Sequence, residues 1–309
     1  MNTRPAPMWV RLAARIIRRL PVGRYRAMNR IGRRFREAFW MRTPTALGAW
    51  RFRCDLRDSI AREVCFTSQY EPQETALVQA ILKPGMTFVD VGANWGYFTM
   101  LAAHGVEKTG RIISLEPDPR LFPMLMENLE INRLHQVTAL QIAAGSKSGW
   151  LTLAGFDESH GNFGLSRVVD HSPRVDRTFR VAAQSLDEVF HQENLKAIDL
   201  VKMDIEGAEG LALQGMQDSL ANQFVRRLLL ELHPAQLAEQ GNSATDLIEQ
   251  IRGFGYRIWK IDHSERINRW AAYRHHLDFK QVLRPMERAS ELDQWPHLIC
   301  LARGFEITL

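Results

Sequence analysis

Apolar positions along this chain follow two alternating periods. Short runs at residues 87–91, 111–115, 137–142, 198–201, 227–232, 256–261 and 298–302 are dense in aliphatic and β-branched side chains. They read as strands buried on both faces. Between them, 70–82, 97–103, 121–131, a stretch from Ser185, 211–220 and 244–253 carry apolar residues at helical spacing, and Lys83-Pro84-Gly85 stops the first of these. Strand and helix in alternation predict a doubly wound, mostly parallel seven-stranded α/β sheet with helices on both faces and ligands at the carboxyl ends of the strands. Residues 150–181 break the rhythm. There, 150–153 and 177–181 are expected to pair as strands around a polar segment holding His160, Gly161, Asn162 and Gly164, an insertion suited to covering a substrate. No internal repeat is visible.

The first fifty residues follow a different pattern. Trp9, Leu12, Ile16 and Leu20 recur at helical spacing with Arg11, Arg15, Arg18 and Arg19 largely elsewhere on the helix, and Pro21 interrupts it. A second amphipathic stretch sets Tyr25, Met28, Ile31, Phe35 and Phe39 against six arginines. Residues 1–53 contain fourteen arginines and one acid, Glu37, a net +13 that leaves −8 for the remainder of a chain whose total is +5. The basic character therefore belongs to an N-terminal arm, and the remainder of the chain is mildly acidic. We divide the chain into an arm at 1–48 and an α/β domain at 49–309. An anionic membrane surface is the expected partner of residues 8–40. A helical appendage packed on the domain, a nucleic-acid contact or a transit peptide are the alternatives. No apolar run is long enough to cross a bilayer and no secretory h-region is present. Cys54, Cys65 and Cys300 are too few and scattered for a disulfide framework or a zinc site. The expected location is cytoplasmic, peripheral at the inner membrane face.

Candidate chemistry begins at 89–98, Val-Asp-Val-Gly-Ala-Asn-Trp-Gly-Tyr-Phe. Gly92 and Gly96 accept left-handed backbone without a Cβ penalty, and Asn94 tolerates it. The spacing D-x-G-x-N-x-G matches neither a dinucleotide turn nor a phosphate-cradling loop. Twenty residues past Gly96, a second strand ends at Glu116, where a carboxylate can take both ribose hydroxyls. With Asp90 free to meet a cationic group, the ligand that fits is S-adenosylmethionine. Ala143 begins a small-residue strand exit that leaves room for an adenine ring. Asp90, Gly92, Asn94, Gly96, Glu116 and Ala143 are thus the candidate cofactor residues.

The fourth strand delivers Lys202 and Asp204 on one face, with Glu206 in the following turn, and the fifth ends at His233. These four are the candidate catalytic residues, with His233 a candidate general base. A divalent cation on Asp204, Glu206 and His233 is the minority alternative. Tyr70, His160 and Asn162 are expected to face the acceptor.

Taken together, D-x-G-A-N-x-G at 90–96, Glu116-Pro117, Ser-Leu-Asp at 185–187, K-x-D-x-E-G-x-E at 202–209 and E-x-H at 231–233 resemble the FkbM family of S-adenosylmethionine-dependent methyltransferases. The resemblance covers about residues 70–234. It implies a Rossmann-like class I methyltransferase fold and methyl transfer to hydroxyl groups of sugars or polyketide-type products. Asp204-Ile205-Glu206-Gly207 stands where base-amine methyltransferases carry Asp/Asn-Pro-Pro-Tyr/Phe, so an oxygen acceptor on a sugar, glycolipid or related natural product is expected. A nucleic-acid methyltransferase, or a non-catalytic membrane-binding protein retaining the fold, are the rivals. Nucleic acid is disfavoured because the body outside residues 1–53 is acidic.

Overall fold

The apolar runs assemble into one main sheet in the computed structural model, which describes residues 4–20, 22–32, 37–155, 166–169, 177–268 and 277–307. Two helices, α1 (Met8–Ile17) and α2 (Arg24–Gly32), precede a hairpin of β1 (Phe39–Arg42) and β2 (Arg51–Cys54), followed by α3 (Ser59–Thr67) and α4 (Pro72–Ile81). β3 (Thr87–Val91), α5 (Tyr97–Val106), β4 (Arg111–Leu115), α6 (Phe122–Asn132) and β5 (Val137–Leu140) then alternate. β6 (Ala143–Ala144), β7 (Gly149–Gly155), β8 (Ser166–Val168) and β9 (Arg177–Gln184) form a small second sheet. In it β7 runs antiparallel to β9, with Leu151 opposite Val181. The chain returns through α7 (Leu186–Gln192), β10 (Leu200–Met203), α8 (Glu209–Gln214), α9 (Gln217–Ala221) and β11 (Arg227–Glu231). It finishes with α10 (Pro234–Glu239), α11 (Ala244–Gly253), β12 (Arg257–Ile261), β13 (Leu283–Pro285) and β14 (His297–Leu301).

The main sheet has the order β13-β12-β14-β11-β10-β3-β4-β5. Strands β11, β10, β3, β4 and β5 are parallel, and β14 inserts antiparallel between β11 and β12. This is the Rossmann-like class I methyltransferase architecture, with one strand more than the seven expected. The extra strand, β13, is three residues long at the sheet edge, too short to leave a periodic signal. Alternate residues of each central strand enter two separate cores. Phe88, Ile112, Leu200 and Leu229 pack on one face, and Val89, Ile113, Val201 and Leu228 on the other. Burial on both sides explains why these strands read as continuous apolar runs.

Two expectations need correction. The single helix expected at 211–220 is two, α8 and α9, because the chain turns at Gly215, where a Cβ would lie 2.1 Å from the Gly145 carbonyl oxygen. In the second amphipathic stretch Arg24–Gly32 is helical, but Phe39 lies in β1 opposite Cys54, so the boundary drawn at residue 48 falls inside a hairpin. Phe35 lies outside the described residues. On its outer side α1 leaves Trp9, Leu12 and Ile16 exposed. It buries Val10, Ala14 and Ile17, which join the core that includes Ala61 and Val64 of α3. The helix is apolar on two sides, and the side carrying Ala14 and Val10 permits the closer approach to a neighbour.

This packing makes α1 part of the cooperative fold. Ile17→Ala is expected to cost about 2–5 kcal/mol of global stability, whereas Leu12→Ala, on the outer face, should stay within about 0.5 kcal/mol. Urea unfolding of the full chain measures both. An unchanged main transition in Ile17→Ala would mean that the arm melts apart from the domain.

Candidate active site

The turn after β3 is built around close backbone contacts. Gly92 has φ +86°, and a Cβ there would lie 2.1 Å from the Asp204 carbonyl oxygen, so only glycine lets the ends of β3 and β10 meet. The amides of Gly92 and Ala93 both donate to the Leu115 carbonyl, which ties the turn to the end of β4. One residue further, Glu116 accepts the Asn94 amide on Oε2 at 2.7 Å and the Asp118 amide on Oε1 at 2.9 Å. Each oxygen keeps a lone pair. Burial lifts the Glu116 carboxyl to about 7 against these amide donors. An incoming ligand that donates hydroxyl hydrogens would relieve that desolvation.

Asp90 stands behind this wall. Its Oδ2 accepts the Thr99 hydroxyl at 2.6 Å, and its buried Oδ1 has no hydrogen-bond partner. Across the sheet Asp90 is in register with Lys202. Lys202 is 4% exposed, with Nζ 3.3 Å from Asp204 Oδ2 and 4.5 Å from the centre of the Phe98 ring. Burial opposes its charge, but Asp204, Glu71 and Asp90 outweigh burial and hold the ammonium well above its ordinary pKa. Conversely, although burial works the other way, Lys202 and His233 hold Asp204 below the usual carboxylate range. Asp204 is an anion at neutral pH.

His233, the expected general base, is surrounded by carboxyl groups. Its Nδ1 lies 2.9 Å from Glu209 Oε1, and its Nε2 lies 3.4 Å from Glu206 and 3.6 Å from Glu231. Burial disfavours the imidazolium, yet Glu209, Asp204 and Glu206 together raise His233 to about 9. At neutral pH it is a cation with no free lone pair to accept a proton. Glu206, in left-handed backbone at φ +51°, is lifted by burial to about 7, partly offset by His233. Glu231 is pushed further, to about 10, by burial with Asp204 and Glu71 adding to it, and is therefore protonated.

One cavity gathers most of the expected residues. Its walls include Gly92, Asn94, Glu116 and Ala143 together with Tyr70, Lys202, Asp204 and Glu206. Asp90, Gly96 and His233 do not line it: Asp90 lies beside Lys202 in register, Gly96 caps α5, and His233 lies 3.4 Å from Glu206. His160 and Asn162 lie outside the described residues.

Sequence reading did not single out several charged groups. Glu74 Oε1 lies 2.7 Å from His263 Nε2 and 3.0 Å from His297 Nδ1, and the two imidazoles stack at 3.8 Å. His297 also reaches Glu231 at 3.5 Å, because β14 pairs with β11 so that Glu231 and His297 face each other. Glu71 turns its buried Oε2 inward without a partner. Only the Glu-x-His spacing at 231–233 and the acid at 209 were visible signals. Ligand atoms of Asp204, Glu206 and His233 come within 4.8 Å of one another, as do those of Glu71, Asp204 and Glu231 and those of Glu74, His263 and His297. A cation on the first set would have to displace the His233 proton.

Residues 90–258 match the family model of the methyltransferase FkbM domain. Methyltransferase sdnD of Sordaria araneosa is 30% identical over 169 residues, 46% of this chain and 64% of that protein. Methyltransferase 1 of Beauveria bassiana is 27% identical over 148 residues, 42% of this chain and 58% of the other. A Streptomyces tacrolimicus protein, 31-O-demethyl-FK506 methyltransferase FkbM, is 22% identical over 201 residues, 57% of this chain and 75% of its own length. The chain thus spans less than two thirds of the first two relatives. The family model covers more than half of the 309 residues and spans the turn, Glu116 and the charged ends of β10 and β11, and on that match the chain belongs to the FkbM methyltransferase family.

Proposed function

We propose that this protein is an S-adenosylmethionine-dependent O-methyltransferase acting on a hydroxyl of a sugar, glycolipid or related natural product. The observation that carries the reading is a single cavity whose walls pair a buried, partly satisfied Glu116 with an ionised Asp204. The residues fit the cofactor: Glu116 keeps acceptor capacity for the ribose hydroxyls, and Ala143 adds little bulk where the adenine would lie. When bound, S-adenosylmethionine supplies an electrophilic methyl group on a sulfonium. Asp204 would orient the acceptor hydroxyl by accepting its hydrogen bond, with Lys202 keeping Asp204 charged. As the new bond forms, the hydroxyl proton would pass to Asp204 and from there to Glu206, which is poised near neutrality with a carboxylate oxygen within 4.8 Å. His233, fixed by Glu209, would act as a cation that positions Glu206. The name of the Streptomyces relative, which specifies an O-demethyl substrate, supports an oxygen acceptor. The basic N-terminal segment supports peripheral attachment to an anionic membrane from the cytoplasmic side, which would bring a glycolipid acceptor within reach. No described helix is long and apolar enough to cross a membrane.

Glu116→Ala is expected to weaken cofactor binding about ten- to a hundredfold in calorimetry. An unchanged affinity in a folded variant removes the ribose assignment. Asp204→Asn keeps shape and removes charge, so it should lower turnover about 10²–10⁴-fold with near wild-type cofactor affinity. Turnover within about threefold of wild type, well under that range, would make Asp204 structural. The rate should rise with pH through about 7 as Glu206 loses its proton and fall above about 9 as His233 loses its charge. Glu206→Gln should abolish the acid limb of this profile. A limb that persists assigns the proton to another group, and recovery by Mg²⁺ after chelation would turn these residues into metal ligands.

A further inference from the structure

Outside the catalytic cavity, the most unusual surface lies between α1 and the β1–β2 hairpin. A groove of about 590 Å³ there is walled by Arg11, Arg15, Arg18 and Arg19 from the helix side and Arg42 and Arg51 from the hairpin. Val10, Ala14, Trp40, Met41 and Cys65 give it an apolar floor, and no carboxylate lines it. Arg18 donates to the Cys65 carbonyl at 2.8 Å, while its buried Nε has no hydrogen-bond partner. Six guanidinium groups facing one cavity without a counter-charge repel one another, and an orphaned buried donor adds a desolvation cost. Anionic oxygens would relieve both, and the guanidinium fork matches phosphate geometry.

The outer face of the same helix carries a second feature. Met8, Leu12 and Ile16 repeat every four residues at 84%, 56% and 54% exposure, with Trp9 beside them at 46%. This stripe faces away from Val10, Ala14 and Ile17, which anchor α1 to the domain. Arg11, Arg15 and Arg19 run along its edge. An apolar stripe with a tryptophan, bordered by arginines and held in place by a rigid inner face, has the layout of a helix lying in a bilayer interface.

We propose that the arginine-walled groove is a phosphate site for anionic phospholipids, entered by headgroups of a bilayer whose interface receives Met8, Trp9, Leu12 and Ile16. This rests on the membrane reading of the N-terminal segment and is independent of the methyl-transfer reading. Charge complementarity selects the occupant: the segment's +13 sits on a protein whose remainder is net negative, which directs this face alone toward an anionic surface. The geometry separates two contributions. The groove recognises phosphate and the stripe recognises the hydrocarbon boundary.

The test uses the full chain sedimented with vesicles of equal parts phosphatidylglycerol and phosphatidylcholine. Removing a basic residue at such a surface costs about fivefold, so Arg15→Ala/Arg42→Ala should weaken partitioning roughly thirtyfold. The charge-matched pair Arg26→Ala/Arg30→Ala, exposed on α2 and outside the groove, should lose several-fold less. Leu12→Ser/Ile16→Ser should weaken binding in a way that added salt does not mimic. Unchanged melting and unchanged calorimetric cofactor affinity show that each variant is folded. Equal losses in the two arginine pairs overturn the groove and leave only diffuse attraction, with membrane attachment intact. Absence of vesicle binding by the unmodified chain overturns membrane attachment as well. Inorganic phosphate and glycerol 3-phosphate are expected to show no saturable binding. Saturable binding of either that displaces the vesicles assigns the groove to a soluble ligand and overturns the lipid assignment.

Discussion

A buried ammonium surrounded by carboxylates is the constraint on which this site depends. Lys202 lies at the centre of the sheet, beside Asp90 in register and against Asp204 and the Phe98 ring. Removing a charge from water costs several kcal/mol unless partners replace the solvent, so Lys202 must have anions near it. Those anions in turn tolerate burial only because Lys202 is there. The mutual requirement orders the ends of β3 and β10 relative to each other, and the glycine at position 92 allows them to touch. Asp204 therefore reaches the cavity as a fixed, charged acceptor with little freedom to reorganise.

Around this pair the titratable groups divide by environment. Glu231, buried and facing Asp204 and Glu71, is held neutral. His233, saturated by Glu209 and near two further carboxylates, is held cationic. Glu206, partly exposed, stays between them near neutrality. Neighbouring groups of the same chemical type thus take different protonation states, which is the condition for assigning different tasks within one site. The Glu74, His263 and His297 cluster continues the polar network away from the cavity.

The N-terminal segment is coupled to the domain on one side and left open on the other. Val10, Ala14 and Ile17 contribute to the same core as Phe88 and Phe98, so α1 is held in a fixed attitude. Its outward stripe and the arginine groove are consequently presented as a rigid surface at no further ordering cost, which favours binding by preorganisation. The acidic remainder of the chain keeps that attraction local.

How much of this was legible in the sequence follows from the range of the forces involved. The central strands are visible because burial on both faces demands continuous apolar residues, and the turn at 92–96 because positive φ restricts residue choice; both are local requirements written at the positions themselves. The spacing of Lys202, Asp204 and Glu206 was equally local. The capacity of His233 to act as a base was not, since its charge depends on Glu209, Glu206 and Asp204 converging from separate turns. Nor was the place of His297, which reaches Glu231 only because β14 inserts antiparallel beside β11. The stripe on α1 makes the same point: periodicity identified an apolar helix, but two of its faces were apolar. The neighbour it met in α3 selected Val10, Ala14 and Ile17 for the core and left Trp9, Leu12 and Ile16 outside. Sequence determined which segments fold and where the turns fall, because those are costs each residue bears alone. Tertiary structure decided protonation and which apolar surface stays exposed, because both are set by partners that the chain brings together only when folded.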